Sequence, residues 1–230
     1  MTQHSNPAGR RRARAAAVAA LACVSVAPLA ANASGEPKEP YYLGAHIGRN
    51  ALDSWPATVN FGAGVRTGAA LSLDAGSHYG LILGRQTEKA RFELEYQRGD
   101  LKLTGVRVGA ASEAASGRLR YDAFTINAYR THDFNADWKG FAGVGIGWGS
   151  VDLPAASFGG SCKCFPATSD SGLLYQGRLG LEYAVAPEHK LFAQYTWLRL
   201  PGADSGSVTP GVEYPNRTLG ALSVGYRKTF

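Results

Sequence analysis

The stretch WKGFAGVGIGW, residues 138–148, opens a run with glycine at every second position from Gly143 to Gly149. Apolar residues alternate with the glycines: Ala142, Val144, Ile146 and Trp148. Glycine weakens an ordinary strand, because it costs backbone entropy and offers no side chain to pack. A strand that keeps this pattern needs one face bare and the other apolar. The run never completes G-x-G-x-x-G and no helical pattern follows it. A dinucleotide site, which aims a helix N-terminus at the pyrophosphate, is therefore excluded.

The same period of two recurs along the chain, and period two means strands. Eight are expected. YYLGAHIGR sets Tyr41, Leu43, Ala45 and Ile47 on one face, and LSLDAGSHYGLILGR sets Tyr79, Leu81 and Leu83. RFELEYQR alternates Phe92, Leu94 and Tyr96 with Glu93, Glu95 and Gln97. RLRYDAFTINAYR opposes Phe124, Ile126 and Ala128 to Thr125, Asn127 and Tyr129. The glycine run is the fifth strand. GLLYQGRLGLEYAV sets Tyr175, Leu179, Leu181 and Tyr183 against Gln176, Arg178 and Glu182. KLFAQYTWLRL carries Leu191, Ala193, Tyr195 and Trp197 on one face, and TLGALSVGYRKTF carries Leu222, Val224, Tyr226 and Phe230.

The connections QTEKA, THDFNAD and APEH are short and polar. The others, at about residues 50–70, 104–117, 154–171 and 201–217, are long. Short turns at one end and long loops at the other describe an all-β, eight-stranded antiparallel up-and-down barrel. Its orientation to solvent follows from the tryptophans. Trp138 and Trp148 lie ten residues apart on one face. At ~3.3 Å per residue and a ~40° tilt this is ~25 Å along the axis, the height of the apolar band of a transmembrane barrel. Trp138, Trp148, Tyr183 and Trp197 are therefore expected as membrane-interface aromatics. The inward row is expected to form a packed polar network of Glu93, Glu95, Asn127, Gln176, Arg178 and Glu182, joined by Lys139 and Arg227. Glycines make room for it, and its charges pair because unpaired ones are costly.

Residues 1–33 read as a signal peptide. Arg10, Arg11, Arg12 and Arg14 precede an Ala-rich apolar stretch, and Ala31-Asn32-Ala33 supplies a small-x-small cleavage site. Residues 34–230 then form one barrel domain. The whole chain has 24 basic and 18 acidic residues, a net of +6. Removing four leader arginines leaves 20 against 18, or +2, so the charge does not indicate nucleic acid as a partner. Of the three cysteines Cys23 leaves with the leader. Cys162 and Cys164 remain, and in an oxidising compartment they are expected to pair. No further ligands stand near them, so no metal is expected, and no cofactor.

In order and content these stretches resemble the opacity-type outer-membrane proteins, the porin family or outer membrane β-barrel domain proteins, which share their architecture with the OmpA transmembrane domain. The resemblance is carried by YYLGAHIG, YGLILGRQ with RFELEYQRGD, INAYRTHDF with FAGVGIGWG, and the closing GALSVGYRKTF, over residues 41–230. It implies export to the outer membrane and a monomer among outer membrane lipids and lipopolysaccharide. It also implies that Leu222, Val224, Tyr226 and Phe230 form the C-terminal signal read by the assembly machinery, although Lys228 stands where an apolar residue is usual.

The function implied is a non-enzymatic surface protein contributing to envelope integrity, with loops that recognise a host or surface ligand. A narrow porin-like channel for small solutes or ions is the alternative. A lipid A-modifying barrel enzyme is the weakest reading. Ser77 and His78 adjoin but point to opposite faces, which spoils a nucleophile–base pair between them. Arg107, Arg118 and Arg120 make the second long loop and its flanks basic, able to meet lipopolysaccharide phosphates.

Overall fold

Eight strands close on themselves in the computed structural model, which describes residues 41–87 and 89–230. The expected leader lies outside the described residues. The ring runs β1 (Tyr41–Ala51), β4 (Gly76–Gln86), β5 (Ala90–Val108), β6 (Ala111–Asp133), β7 (Trp138–Leu153), β10 (Thr168–Ala186), β11 (His189–Leu200) and β14 (Arg217–Thr229). Each pairs antiparallel with two of the others, and β14 returns to β1 through Tyr42 opposite Thr229 and Ala51 opposite Gly220. The Phe230 amide donates to the Tyr41 carbonyl at 2.9 Å, so the start of β1 meets Phe230 at the short-turn end. A sheet closed this way has no free edge.

Six shorter strands lie beyond the ring at the other end. They are β2 (Ser54–Gly62), β3 (Val65–Asp74), β8 (Ala156–Phe158), β9 (Cys162–Phe165), β12 (Ala203–Asp204) and β13 (Gly211–Tyr214). Here the structure corrects the sequence reading. LSLDAGSHYGLILGR is not one strand: Leu71–Asp74 closes the β2–β3 hairpin, and the barrel strand begins at Gly76. The cause is the length of β5. Its lower part pairs with β4 as far as Gly99 opposite His78, and its upper part continues with β3 from Lys102 opposite Asp74.

The long connections are likewise sheet, not loop. Residues 104–117 extend β5 and β6 to a turn at Gly109-Ala110, with Gly109 at φ 58°. The β2–β3 turn passes through Gly62, Ala63 and Gly64, all at positive φ. Glycine takes that conformation without the Cβ penalty, which is why two of these three are glycines.

Alternation decides what each face meets. The outward row includes Leu43, Ile47, Ile126, Val144, Leu181 and Val224, all exposed. The inward row divides into two halves. Towards the short turns it is polar and charged. Towards the extensions it is apolar, with Leu101, Leu119, Val151, Leu174, Leu198 and Leu219 packed in one cluster with Trp55, Leu71, Phe165, Val212 and Tyr214. The expectation of a polar interior throughout is thus corrected. The barrel outgrows the ~25 Å apolar band, and its upper part, set in water, packs like the core of a soluble sandwich.

Candidate functional site

Inward rings need space that eight strands hardly provide. The sequence supplies it by register. Tyr42 stands directly opposite Gly84, His46 opposite Gly80 and His78 opposite Gly48. Tyr129 and Asn127 stand opposite Gly143 and Gly145. Tyr121 faces Gly99, Phe141 faces Gly180 and Phe192 faces Gly225. The approach is close: a Cβ on Gly145 would lie 1.9 Å from Asn127 Oδ1, and one on Gly143 would lie 2.3 Å from Tyr129 Cδ1. Each large inward group leans across a bare neighbour.

Around these rings the charges balance. Among the described residues the buried charged side chains besides histidine are Arg91, Arg178 and Arg227 with Glu93, Glu95 and Glu182, three of each sign. They fall into two groups. In the upper one Arg178 grips Glu95 with a two-pronged contact, Nη1–Oε2 at 2.6 Å and Nη2–Oε1 at 2.8 Å. His46 Nε2 lies 2.7 Å from Glu95 Oε1, and Asn127 Nδ2 donates to Oε2 at 3.0 Å. Gln176 ties in through Asn127 Oδ1 at 2.6 Å. Four contacts from three residues satisfy one carboxylate, as burial of a charge demands.

In the lower group Arg91 bridges Glu93 at 3.0 Å and Glu182 at 3.2 Å, while its guanidinium lies 4.4 Å from the Tyr129 ring centroid and 4.3 Å from that of Phe141. Arg227 pairs with Glu182, and the Tyr42 hydroxyl donates to Glu93 at 2.6 Å. Lys190 reaches Glu182 at 3.6 Å. The expected set Glu93, Glu95, Asn127, Gln176, Arg178 and Glu182 is therefore brought together, with Arg227. Lys139 is not part of it: its ammonium pairs with Asp133 at the rim, 2.8 Å away. Sequence reasoning missed Tyr42, His46 and Arg91, and set Gln97 on the inward row without assigning it to the network, where it accepts from Arg178 Nη2 at 3.2 Å. Parity opposite Leu43, Ala45 and Phe92 was the signal that could have found the first three.

Ser77 and His78 do point apart. Ser77 turns outward to Asp100, and His78 turns inward, where its Nε2 lies 2.8 Å from Ser223 Oγ. This serine–histidine pair, distant in sequence, is one that reading the chain did not find. Both residues are buried, and among the described residues His78 Nδ1 has no partner. A nucleophile needs a base that a third group orients, and an approach for substrate. Among the described residues no third group orients the histidine, and along the barrel axis the pair is closed in both directions. Below lies the ion network. Above, Gln97 donates to Tyr121 and Tyr121 to Asn50, and over them sits the apolar cluster.

That cluster is held from above by the extensions. Trp55, fully buried, donates from Nε1 to the Pro215 carbonyl at 2.8 Å, and Arg217 Nε donates to the Ser54 carbonyl at 3.1 Å. Strand β13 adds to β2 through Val212 opposite Val59. Burial raises the pKa of the Tyr214 hydroxyl there. Cys162 and Cys164 are joined as a disulfide within β9, their Cα atoms 5.1 Å apart, and Cys164 packs into the same cluster.

On the outer wall Trp138 stands opposite Tyr183, their ring centroids 5.0 Å apart at the short-turn end. Trp148 and Trp197 are exposed towards the opposite end, Trp148 opposite Phe124 and Trp197 between Gly177 and Gly220. Leu222, Val224, Tyr226 and Phe230 form one exposed row ending at the seam.

A closed eight-stranded ring with an apolar outside and a charged inside is a membrane architecture, and the family comparison agrees. The model of the outer membrane protein beta-barrel domain family matches residues 16–227. The chain belongs to that family. The location of this outer membrane β-barrel is accordingly the outer membrane. No match was found among curated proteins. Among solved structures, OprG of Pseudomonas aeruginosa is similar at 11% identity, covering 84% of this chain and 96% of its own, with a TM-score of 0.60. Neisserial surface protein A is similar at 18% identity, covering 83% and 97%, with a TM-score of 0.51. The outer membrane protease OmpT of Escherichia coli aligns over 82% and 97% at 11% identity, with a TM-score of 0.45. For OprG and the Neisserial protein, at these identities, the likeness is one of fold.

Proposed function

We propose that this outer membrane barrel is a non-enzymatic, non-conducting surface protein of the opacity type. It acts as a monomer that reinforces the envelope and presents its β-sheet extensions for recognition outside the cell. The observation that carries the reading is the two-part filling of the interior. A neutral network of three arginine–glutamate pairs is stacked below an apolar cluster that includes Trp55, Leu71 and Leu198. An ion crossing such a barrel would have to break buried pairs and then shed water against leucine, and each step costs several kcal/mol. The network is read as a static brace, the girdle aromatics as anchors at the two water–lipid boundaries, and the C-terminal row as the assembly signal.

The test has two arms. Refolded protein in planar bilayers is expected to give no reproducible conductance steps; steps that change in Arg178→Ala would instead establish a channel. A peptide tag inserted between Gly159 and Gly160, on an exposed turn, is expected to bind antibody on intact cells. Binding only after lysis would contradict the surface placement.

A further inference from the structure

The disulfide Cys162–Cys164 ties together two residues that the fold already holds. Strand β9 pairs with β8 through Ala156 opposite Phe165 and Phe158 opposite Cys162. The turn between the two strands is fastened to β6, where the Gly159 amide donates to Glu113 Oε2 at 2.5 Å. Cys164 and Phe165 are buried in the apolar cluster, and Thr168 just beyond them enters β10 opposite Leu153. The bond itself spans a sequence separation of two. A cross-link restrains the unfolded chain by an amount that grows with the logarithm of the loop it closes, and this loop is close to the shortest a disulfide can close. Stapling does not account for it.

Nor does the strand favour it. In a regular strand the Cα atoms of residues two apart stand ~6.6 Å from each other, whereas disulfides cluster near ~5.5–6 Å. Here those atoms are 5.1 Å apart, and the β8–β9 register slips between Ala156 and Phe158. Closing the bond draws the strand in, and opening it lets the strand extend. A disulfide that its fold does not favour is open to reduction by thiols, provided that one sulfur can be reached. The two sulfurs differ in that respect. Cys162 is half-buried, beside the exposed turn at Gly159 and Gly160 and next to the exposed Lys163, whereas Cys164 is only 1% exposed. The Lys163 ammonium offers an incoming thiolate a favourable charge.

We propose that Cys162–Cys164 is a thiol-exchange site for low-molecular-weight thiols of the cysteinyl-peptide class, with Cys162 the sulfur attacked and Cys164 the resolving one. The incoming thiolate forms a bond to Cys162 Sγ as the Cys162–Cys164 bond breaks. The electron pair goes to Cys164 Sγ, which takes a proton from water. Cys164, deprotonated again, attacks Cys162 Sγ to re-close the bond and release the thiol. Alternatively a second small thiolate attacks the adduct's outer sulfur, leaving the protein dithiol and the oxidised small disulfide. That such thiols arrive from outside the cell rests on the outward placement of the extensions proposed above; the chemistry does not.

The folded barrel in detergent micelles, equilibrated with a glutathione buffer of cytosolic poise, quenched in acid, alkylated and read by peptide mass spectrometry, tests it. Opened chains, reduced or carrying glutathione, are expected to outnumber closed ones roughly tenfold under conditions that leave stapling disulfides closed. In Cys164→Ser, which cannot re-close, oxidised glutathione should build a stable adduct on Cys162. That adduct should form at least roughly tenfold faster than the one on Cys164 in Cys162→Ser, where burial shields the sulfur. The variant Cys162→Ser/Cys164→Ser should keep the heat-modifiable gel migration and the urea midpoint of the parent. A bond that stays closed in most chains, adducts that form equally fast in both single variants, or a lowered midpoint in the double variant would each overturn the site. On intact cells, reduction followed by a membrane-impermeant maleimide should label Cys162. Labelling only after lysis would overturn the outward placement alone, because the exchange is read on purified protein.

Discussion

Glu95 is the residue on which the interior depends most. Fully enclosed, it is held by Arg178, His46 and Asn127. Breaking a buried pair from one side leaves an uncompensated charge, which typically costs about 3–5 kcal/mol, whereas replacing both partners by apolar groups is often neutral. Arg178→Ala is therefore expected to lower the urea midpoint of the barrel in lipid vesicles, followed by tryptophan fluorescence, with a loss of that order. Glu95→Met/Arg178→Met should recover most of it. If the single and double variants were equally destabilised, the pair would not be the brace proposed. On the outer side of the wall the rule reverses. Val144, 70% exposed, faces the lipid, and Val144→Arg should cost about 2–4 kcal/mol, as for a cation near the bilayer midplane. An unchanged midpoint there would place that face in water.

At the scale of elements, the glycines of β7 and their cross-strand rings make a testable pattern. Gly145→Val would drive a side chain into Asn127 and Gln176, an overpacking expected to cost about 1–3 kcal/mol or to block folding. Gly177→Ala, on the outward face where the nearest atom is 3.9 Å away, should be neutral. Gel migration before and after boiling, with the urea midpoint, separates the two. Equal tolerance would mean that glycine is not there for close approach. These elements also show what could be read in advance. Period two gave the eight barrel strands and their faces, because a one-residue slip would send every apolar side chain inward. It did not reveal that Leu71–Asp74 belongs to a hairpin rather than to the barrel, since both are alternating strand and only the length of β5 separates them. Nor could it pair Ser223 with His78, which meet only when β14 closes on β1 and β1 on β4.

For the whole molecule, closure brings these parts into one object with a brace below, a dry cap above and an apolar belt outside. The cap was hidden in the sequence because Leu101, Leu119 and Leu198 share the inward parity of Glu95, Thr125 and Gln194, and only depth distinguishes them. The belt is the claim on which the rest stands, and spin labels test it most directly. Labels placed singly at Ile126, Val144, Leu181 and Val224 of the barrel in lipid vesicles can be challenged with oxygen, which concentrates among acyl chains, and with a water-soluble nickel chelate. The account predicts that oxygen relaxes all four and the chelate none. Strong relaxation of these labels by the chelate, with oxygen ineffective, would contradict it.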